Sequence, residues 1–294
     1  MKILLLGGSG QVGFELRRTL VLLGEVDAPN RHELDLGDAR AVSGYLEQSR
    51  PDLIVNAAAW TAVDKAEESR DAAYQLNAAL PEQLAGYASQ HHIALVHYST
   101  DYVYPGDGDE AWREDSPTEP LSVYGASKLA GDRAIQSSGC SHLVFRTSWV
   151  YAARGHNFMK TMLRLGHERD ALKIVDDQIG APTPARLIAQ VSTLAIPPLL
   201  SARLGSGIYH LAPRGETSWH GFASEIFHQA EGQGESLMIN PAQVVGIPTV
   251  EYPTPAARPL NSRLSVEKLE QALGIKMPEW RTQLALTLEE HISR

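Results

Sequence analysis

The sequence has little of what defines several large protein classes. It contains a single cysteine, Cys140, so no internal disulfide can form, which is typical of a protein from the reducing cytoplasm. No stretch approaches the roughly 20 consecutive apolar residues that a membrane-spanning helix needs, and we predict no membrane segment. The formal net charge is −9, and no basic stripe is present, which argues against nucleic acid as a partner.

The first half of the sequence alternates short apolar runs with segments of helical spacing. The predicted strands are 2–7, 25–29, 52–59, 93–100 and 142–149, and the predicted helices are 11–24, 38–50, 71–92 and 123–138. Pro81 should bend or divide the third of these helices. Apolar strands separated by helices predict a parallel sheet covered on both faces, which is a doubly wound α/β (Rossmann) fold.

The alternation weakens after about residue 150, and this predicts a second, smaller lobe. We predict a dinucleotide-binding domain over 1–150, to which a segment at about 171–200 returns, and a substrate-binding lobe over most of 151–294. The predicted elements of the second half are helices at 157–168, 184–196 and 218–231 and a strand at 207–212. The proline-rich segment 246–264 predicts a structured loop across the smaller lobe.

The first predicted strand leads into a glycine-rich turn, GGSGQVG, that opens a helix. Glycines spaced Gly-x-x-Gly-x-x-Gly allow a tight turn and let the backbone approach a pyrophosphate. The helix N-terminus adds free N–H groups and the positive end of the helix dipole. We therefore predict that a dinucleotide is bound by Gly7, Gly10, Gln11, Val12 and Gly13.

The end of the second predicted strand indicates which dinucleotide is preferred. An acidic side chain there holds the ribose 2′-hydroxyl of NAD, whereas an arginine suits the 2′-phosphate of NADP. The chain offers Asn30 and Arg31 after Pro29, and no acid, so we predict NADPH. The alternative is that Arg31 is a solvated surface charge and that Asp27 binds the ribose, and use of NADH is left open.

A tyrosine and a lysine stand four residues apart in the segment LSVYGASKLAGD. On a helix, Tyr124 and Lys128 share one face, and a lysine ammonium there can lower the pKa of the tyrosine toward neutrality. Such a tyrosine can pass a proton to a carbonyl oxygen. The preceding strand ends at Ser99 and Thr100, where ligands of open α/β sheets bind, so the Thr100 hydroxyl is a candidate donor to a substrate carbonyl. The alternative is a core tyrosine beside a surface lysine.

Several motifs together resemble those of the extended short-chain dehydrogenase/reductase family. They are the glycine turn, NAAAWTAVDKAE, STDYVY, YGASKLAGD, FRTSWVY, GAPTPA and YPTPAARPLNSRL, and they span nearly the whole chain. The resemblance implies an NAD(P)H-dependent oxidoreductase that reduces a keto group of a dTDP-linked sugar. It also implies that Thr100, Tyr124 and Lys128 form the catalytic set.

The resemblance further assigns binding roles. It implies that the cofactor is bordered by Asp35, Leu36, Ala57, Ala58 and Ala59, and that Asn77 takes the place of the family's helix asparagine. It implies substrate contacts from Thr100, Asp101, Tyr124 and Trp149.

The diphosphate of a dTDP-sugar is anionic, so an acidic protein must concentrate cations near it. The proline-rich loop carries Arg258 and Arg263, and we predict that Arg258 faces the diphosphate. The alternative is that both arginines pair with surface acids.

Two points of function are left open by the sequence. Some members of the family dimerise through a metal held by glutamates; Glu15 is present, but Arg186 falls where another such glutamate would stand, so we predict no metal and leave a homodimer open. A related epimerase or dehydratase, or a non-catalytic regulatory subunit, is also compatible with the fold. A dehydratase typically has Asp-Glu after the threonine, whereas this chain has Asp101 and Tyr102, and a regulatory relative commonly lacks the tyrosine or the lysine.

Overall fold

A computed structural model describes residues 1–293 of the chain. The strands are β1 (Lys2–Leu6), β2 (Glu25–Asp27), β3 (Leu53–Asn56), β4 (Ala94–Thr100), β5 (Ser141–Thr147), β6 (Val150–Tyr151), β7 (Leu172–Val175), β8 (Ile179–Gly180), β9 (Thr183–Pro184), β10 (Gly207–His210), β11 (Thr217–Ser218), β12 (Val244–Ile247) and β13 (Asn261–Ser262). The helices are α1 (Gln11–Thr19), α2 (Ala39–Ser49), α3 (Val63–Glu68), α4 (Arg70–Tyr74), α5 (Leu80–His91), α6 (Val123–Ser137), α7 (Phe158–Glu168), α8 (Ala185–Leu200), α9 (Trp219–Gly232), α10 (Glu267–Leu273) and α11 (Trp280–Ile292). Among residues 1–293, no helix combines the length and the apolar character needed to cross a membrane.

A six-stranded sheet forms the centre of the larger lobe, in the order β2–β1–β3–β4–β5–β10. Every neighbouring pair in it is parallel. The prediction of a doubly wound parallel sheet is therefore confirmed. The strand order reverses between β1 and β3, and ligands of such sheets bind in the crevice outside the carboxyl ends at this point.

Both faces of this sheet are buried, which explains why its strands are continuous apolar runs. Because side chains alternate along a strand, Ile3 and Leu5 pack on one face and Leu4 and Leu6 on the other. Helices α1 and α8 cover the first face, and α2 and α5 cover the second. The helices on both faces thus fix the sheet, and with it the positions of the residues at the carboxyl ends of its strands.

The smaller lobe has its own core around Phe222, Phe227 and Trp280. Helices α7, α9 and α11 enclose this core together with the parallel pair β7–β12. The chain returns to the larger lobe at α8, which packs on α1, and at β10, which extends the central sheet beside β5. This return begins later than residue 171, because β7 pairs within the smaller lobe.

The predicted helix 71–92 is divided, as expected from Pro81, and the proline-rich segment differs from its prediction. A turn of π-helix, Gln75–Ala79, separates α4 from α5, and Pro81 lies in the first turn of α5. The segment 246–264 is not loop throughout, since it includes the end of β12 and all of β13, which pairs with β8. Its prolines lie between these short pairings rather than within them.

Candidate active site

The glycine turn lies where the order of the central sheet reverses. Gly7 has φ +77°, and a Cβ on it would lie 2.6 Å from the backbone carbon of Ala57, at the end of the adjacent β3. A Cβ on Gly13 would lie 2.1 Å from the carbonyl oxygen of Gly7. A Cβ on Gly10, by contrast, would meet only that oxygen, at 3.3 Å. Two glycines are thus required by packing, and the third leaves an open surface at the start of α1.

That open surface has the chemistry to hold a pyrophosphate. Gly10 precedes α1 and provides no side-chain cap, and the first turn carries no acid, so its N–H groups are available to an anion. Val12 follows Gln11 in this turn, and both are half-buried. Gln11 accepts a hydrogen bond from Asn157 of the smaller lobe at 2.8 Å, so this helix end is tied to both lobes.

Asp27, the last residue of β2, is engaged within the fold, whereas Arg31 is exposed four residues later. Asp27 accepts hydrogen bonds from the hydroxyls of Tyr45 at 2.8 Å and Ser49 at 2.9 Å, so its carboxylate is already engaged within the fold. Asn30 and Arg31 are both exposed just beyond it. This arrangement favours Arg31 over Asp27 as the group that meets the ribose.

The remaining residues predicted to border the cofactor lie around the same crevice. Asp35 is exposed and its carboxylate accepts from the N–H of Gly37, while Leu36 is half-buried against the core beneath α2. The segment Ala57–Ala59 follows β3 directly and is half-buried.

Thr100 and Tyr124 meet above the carboxyl edge of the sheet. Ser122 caps α6 by accepting from the N–H of Gly125, which places Tyr124 in the first turn. A Cβ on Gly125 would lie 2.2 Å from the carbonyl oxygen of Tyr102, so only glycine lets α6 approach the end of β4 this closely. Tyr124 lies close enough to Thr100 for a side-chain hydrogen bond to influence its pKa, and the Thr100 hydroxyl donates to Asp101 at 3.0 Å.

Burial governs the acid–base properties of this group. It raises the pKa of Tyr124 above its ordinary value, against the hydrogen bond with Thr100, which lowers that pKa. It also raises the pKa of Asp101 to about 6, although hydrogen bonds from Ser262 and Thr100 oppose the shift. Tyr124 is therefore a protonated phenol across the neutral range, which is the form that can donate a proton.

Lys128 lies on the same helix but is directed into the protein. It is 1% exposed, and its Nζ donates to the carbonyl oxygen of Tyr98 at 2.5 Å and lies 3.1 Å from Nε2 of His97. Burial lowers the pKa of Lys128 to about 8, and Asp132 opposes this shift. The sequence argument expects the lysine to lower the tyrosine's pKa, but the principal influence on Tyr124 is burial, which raises it.

A cavity of about 470 Å³ lies between the lobes, and Tyr102 in its wall contacts the ring of Tyr124. Its wall includes Asp64, Tyr102, Phe158, Gln178, Trp219 and Arg258. The smaller lobe supplies an apolar side, and the larger lobe supplies polar groups next to Thr100 and Tyr124. A concave site with an apolar wall and few polar groups is suited to a small organic ligand.

Trp149 stacks on Trp219 of the cavity wall and has a strained backbone conformation. Its φ is +49°, which is uncommon for a bulky residue, and its ring stacks on Trp219 with centroids 3.7 Å apart. A Cβ on Gly180 would lie 2.9 Å from the Trp149 ring, so glycine makes room for it. Sequence reasoning missed Trp219, whose only local signal is its place behind the helix-capping Ser218.

Arg258 lines the cavity and is only partly engaged. Its Nη2 donates to the carboxylate of Asp64 at 2.8 Å, while its buried Nη1 has no hydrogen-bond partner among residues 1–293. Arg263 donates to Glu216 at 2.7 Å. Both arginines thus pair with acids, as the alternative stated, but Arg258 keeps a free donor on the cavity wall.

Arg186 is part of a cluster of ion pairs. Its guanidinium hydrogen-bonds the carboxylate of Glu290 and lies 3.7 Å from that of Glu15. Arg18 lies 3.9 Å from each of the same two carboxylates. Within the described part of the chain, no group of three or more His, Cys, Asp or Glu side chains is arranged to hold a metal ion.

Comparisons of the sequence and of the structure with known proteins point to one family. The family model described as RmlD substrate binding domain matches residues 1–293. The dTDP-4-dehydrorhamnose reductases of Escherichia coli K12 and Shigella flexneri are 47% and 46% identical over 294 residues, and each match covers 99% of this chain and 98% of the relative. The crystal structure of a dTDP-4-dehydrorhamnose reductase from Bacillus anthracis in complex with NADP has a TM-score of 0.90 at 33% identity, covering 98% of this chain and 99% of that one.

Proposed function

The chain belongs to the RmlD substrate binding domain family, and on this premise we propose that it is an NADPH-dependent dTDP-4-dehydrorhamnose reductase. It reduces the C4 keto group of dTDP-4-dehydro-L-rhamnose and forms dTDP-L-rhamnose. The observation that carries the proposal is the proximity of Thr100 and the protonated phenol of Tyr124, whose ring contacts Tyr102 of the cavity wall. The relatives of the same name support the choice of substrate.

The chemistry needs one hydride, which NADPH supplies when it is bound. The Tyr124 hydroxyl donates to the sugar carbonyl and passes its proton to the carbonyl oxygen, and Thr100 joins it as a second donor once its hydroxyl proton turns from Asp101 to the substrate. Without substrate, Asp101 accepts the Thr100 hydroxyl proton at 3.0 Å, so this hydroxyl is engaged until a carbonyl competes for its proton. Burial keeps Tyr124 protonated, since it raises the pKa of this phenol.

The proposed partner is thus a dTDP-sugar, with its sugar against Trp149 and its diphosphate at Arg258. We keep the cytoplasm as the proposed compartment, since the only cysteine, Cys140, is buried and unpaired. A homodimer and the absence of a bound metal stay predictions.

A direct assay tests the function. Purified protein is mixed with NADPH and dTDP-4-dehydro-L-rhamnose, and NADPH absorbance is followed while the product is identified by NMR. Loss of NADPH with formation of dTDP-L-rhamnose supports the proposal. Conversion to another sugar without loss of NADPH would identify an epimerase or dehydratase, and tight NADPH binding without any turnover would identify a regulatory subunit.

The choice of cofactor is tested at Arg31. Arg31→Ala should weaken NADPH by about tenfold or more and leave NADH almost unchanged, because one charge-assisted contact to the 2′-phosphate contributes roughly 1.5–3 kcal/mol. Fluorescence titration with each dinucleotide measures both affinities. Arg203→Ala, at the far end of α8, removes the same charge as a control and should change neither. Equal losses for NADPH and NADH in the Arg31 variant would contradict the assignment.

The diphosphate site is tested at Arg258. Because its Nη1 is buried and free on the cavity wall, Arg258→Ala should raise the KM for the dTDP-sugar by about tenfold or more and leave NADPH affinity unchanged. Steady-state kinetics at saturating NADPH measure KM and kcat separately. Arg263→Ala removes a cation from the same loop and is the matched control, with no change in KM expected. Unchanged kinetics in the Arg258 variant would remove this residue from the substrate site.

A further inference from the structure

Two tryptophans from distant parts of the chain are stacked next to the cavity. Trp149 lies just after β5, and Trp219 is the first residue of α9. Their ring centroids are 3.7 Å apart, with an angle of 13° between the planes. Trp219 forms part of the cavity wall, and both residues are half-buried. The two rings are held by different contacts, and this difference shows which ring positions the other.

Trp219 is anchored by contacts that do not involve Trp149. Ser218 caps α9 with its hydroxyl, which fixes the backbone at the start of this helix. The indole N–H of Trp219 donates to Oε1 of Gln178 at 3.1 Å. The ring of Phe158 packs on the same indole, with centroids 4.7 Å apart. The position of the Trp219 ring is therefore set by the fold of the smaller lobe.

Gln178 can hold this indole because its own amide has a defined orientation. The hydroxyl of Thr249 donates to Oδ1 of Asp177 at 2.5 Å, since a carboxylate can only accept. The Thr249 oxygen then accepts from Nε2 of Gln178 at 3.1 Å, which leaves Oε1 of the amide to face Trp219. Gln178 is 7% exposed, so its amide is shielded from competing water.

The side chain of Trp149, by contrast, has no hydrogen bond in the described part of the chain. Its backbone has φ +49°, and a bulky residue keeps such a conformation only where its surroundings impose it. Val150, the next residue, pairs in β6 with β9 and fixes the direction of the chain. The ring itself lies beside Gly180 and against Trp219. The stack is thus the contact that fixes the orientation of this ring.

We propose that Trp219 is a positioning residue that holds the Trp149 side chain in place for the substrate. The inference rests on the proposed function, in which the sugar lies against Trp149. Trp219 uses its indole N–H within the fold, whereas the N–H of Trp149 is left as a donor for an oxygen of the ligand. Stacking of aromatic rings supplies the attraction between the two residues.

Circular dichroism of the ligand-free protein tests the stack without any activity. Two stacked indoles couple their electronic transitions, so the wild type should show an exciton couplet in the far ultraviolet. The couplet should disappear in Trp149→Leu and in Trp219→Leu. It should weaken in Gln178→Leu, which keeps both rings but removes the hydrogen bond to Trp219.

Trp60→Phe is the matched control for the couplet. The Trp60 indole donates to the carbonyl oxygen of Ala62, away from the stack, so its loss should leave the couplet unchanged. A wild type without the couplet, or a couplet that persists in Trp219→Leu, would overturn the proposal.

A double-mutant cycle then asks whether Trp219 acts through Trp149. Trp219→Leu should raise the KM for dTDP-4-dehydro-L-rhamnose by about tenfold, with kcat and NADPH affinity nearly unchanged. In a Trp149→Leu background, the same substitution should change KM by less than about twofold, because the residue on which Trp219 acts is already absent. Additive losses would show that Trp219 binds the substrate directly and would contradict the proposal, as would an unchanged KM.

A conservative variant keeps the cycle interpretable. Trp219→Phe retains a ring that can stack on Trp149, so its KM should lie between those of the wild type and Trp219→Leu. It takes the place of Trp219→Leu in the cycle if the leucine variant does not fold. Equal KM values for the two variants would contradict a role for the ring. Loss of the couplet as expected, without reduction of any sugar nucleotide, would support the stack and contradict the proposed function alone.

Discussion

Tyr124→Phe is expected to lower kcat by about 10²–10⁴, the usual contribution of one general acid. The variant loses only the hydroxyl that meets Thr100, so the fold and NADPH affinity should stay nearly intact. The ring keeps its edge-to-face contact with Tyr102, whose centroid lies 5.5 Å away. Stopped-flow measurement of NADPH oxidation at saturating dTDP-4-dehydro-L-rhamnose isolates the chemical step.

Tyr87→Phe is the matched control for this loss. The Tyr87 hydroxyl donates to the carbonyl oxygen of Leu46 at 3.0 Å, between α5 and α2 and away from the cavity. Its removal should cost about 1 kcal/mol of stability and leave kcat unchanged. If Tyr124→Phe turned over at the wild-type rate, the proton would have to come from another group, and Asp101, with its raised pKa, would be the next to examine.

Gly13→Ala should weaken NADPH binding by about ten- to a hundredfold. The added Cβ would lie 2.1 Å from the carbonyl oxygen of Gly7 and 2.8 Å from the Cα of Gly8, so the turn must move away from α1. Overpacking of this kind costs about 1–3 kcal/mol. If this cost falls on the conformation of the turn that binds NADPH, it corresponds to about one to two orders of magnitude in affinity. Isothermal titration with NADPH measures the loss.

Gly86→Ala is the control, and it is expected to raise the stability of the protein rather than to strain the chain as Gly13→Ala does. Gly86 lies within α5, and a Cβ there would meet nothing within 4 Å. Alanine should stabilise the helix by roughly 0.5–1 kcal/mol and leave NADPH affinity unchanged. If Gly13→Ala bound NADPH as the wild type does, the glycine turn would not be the pyrophosphate site.

Local sequence rules account for much of the fold and for part of the candidate site. The apolar runs predict the sheet, because both of its faces are buried and its strands cannot alternate with polar residues. The spacing of Gly7, Gly10 and Gly13 predicts the turn, because the steric constraints of a tight turn act between residues that are close in sequence. Tyr124 and Lys128 share a helix face for the same reason.

The sequence pattern did not predict the short elements of the smaller lobe. Strand β7 pairs with β12 some 70 residues later, as in the register Val175↔Ile247, and neither strand is long enough to show a clear period. Prolines after β12 favour a loop, and that local signal hides the pairing of β13 with β8. Short strands in a mixed lobe are decided by long-range partners.

By itself, the sequence determined the class of fold, the place of the dinucleotide turn and the tyrosine–lysine pair, because each depends on neighbours within a strand or a helix. Only the tertiary structure decided the electrostatic state of the site. Asp27 is engaged by Tyr45 and Ser49, and Lys128 is turned toward His97 on β4. These contacts join residues 18 to 31 positions apart, and burial, which sets the pKa values of Tyr124 and Lys128, exists only once the lobes and the sheet are assembled.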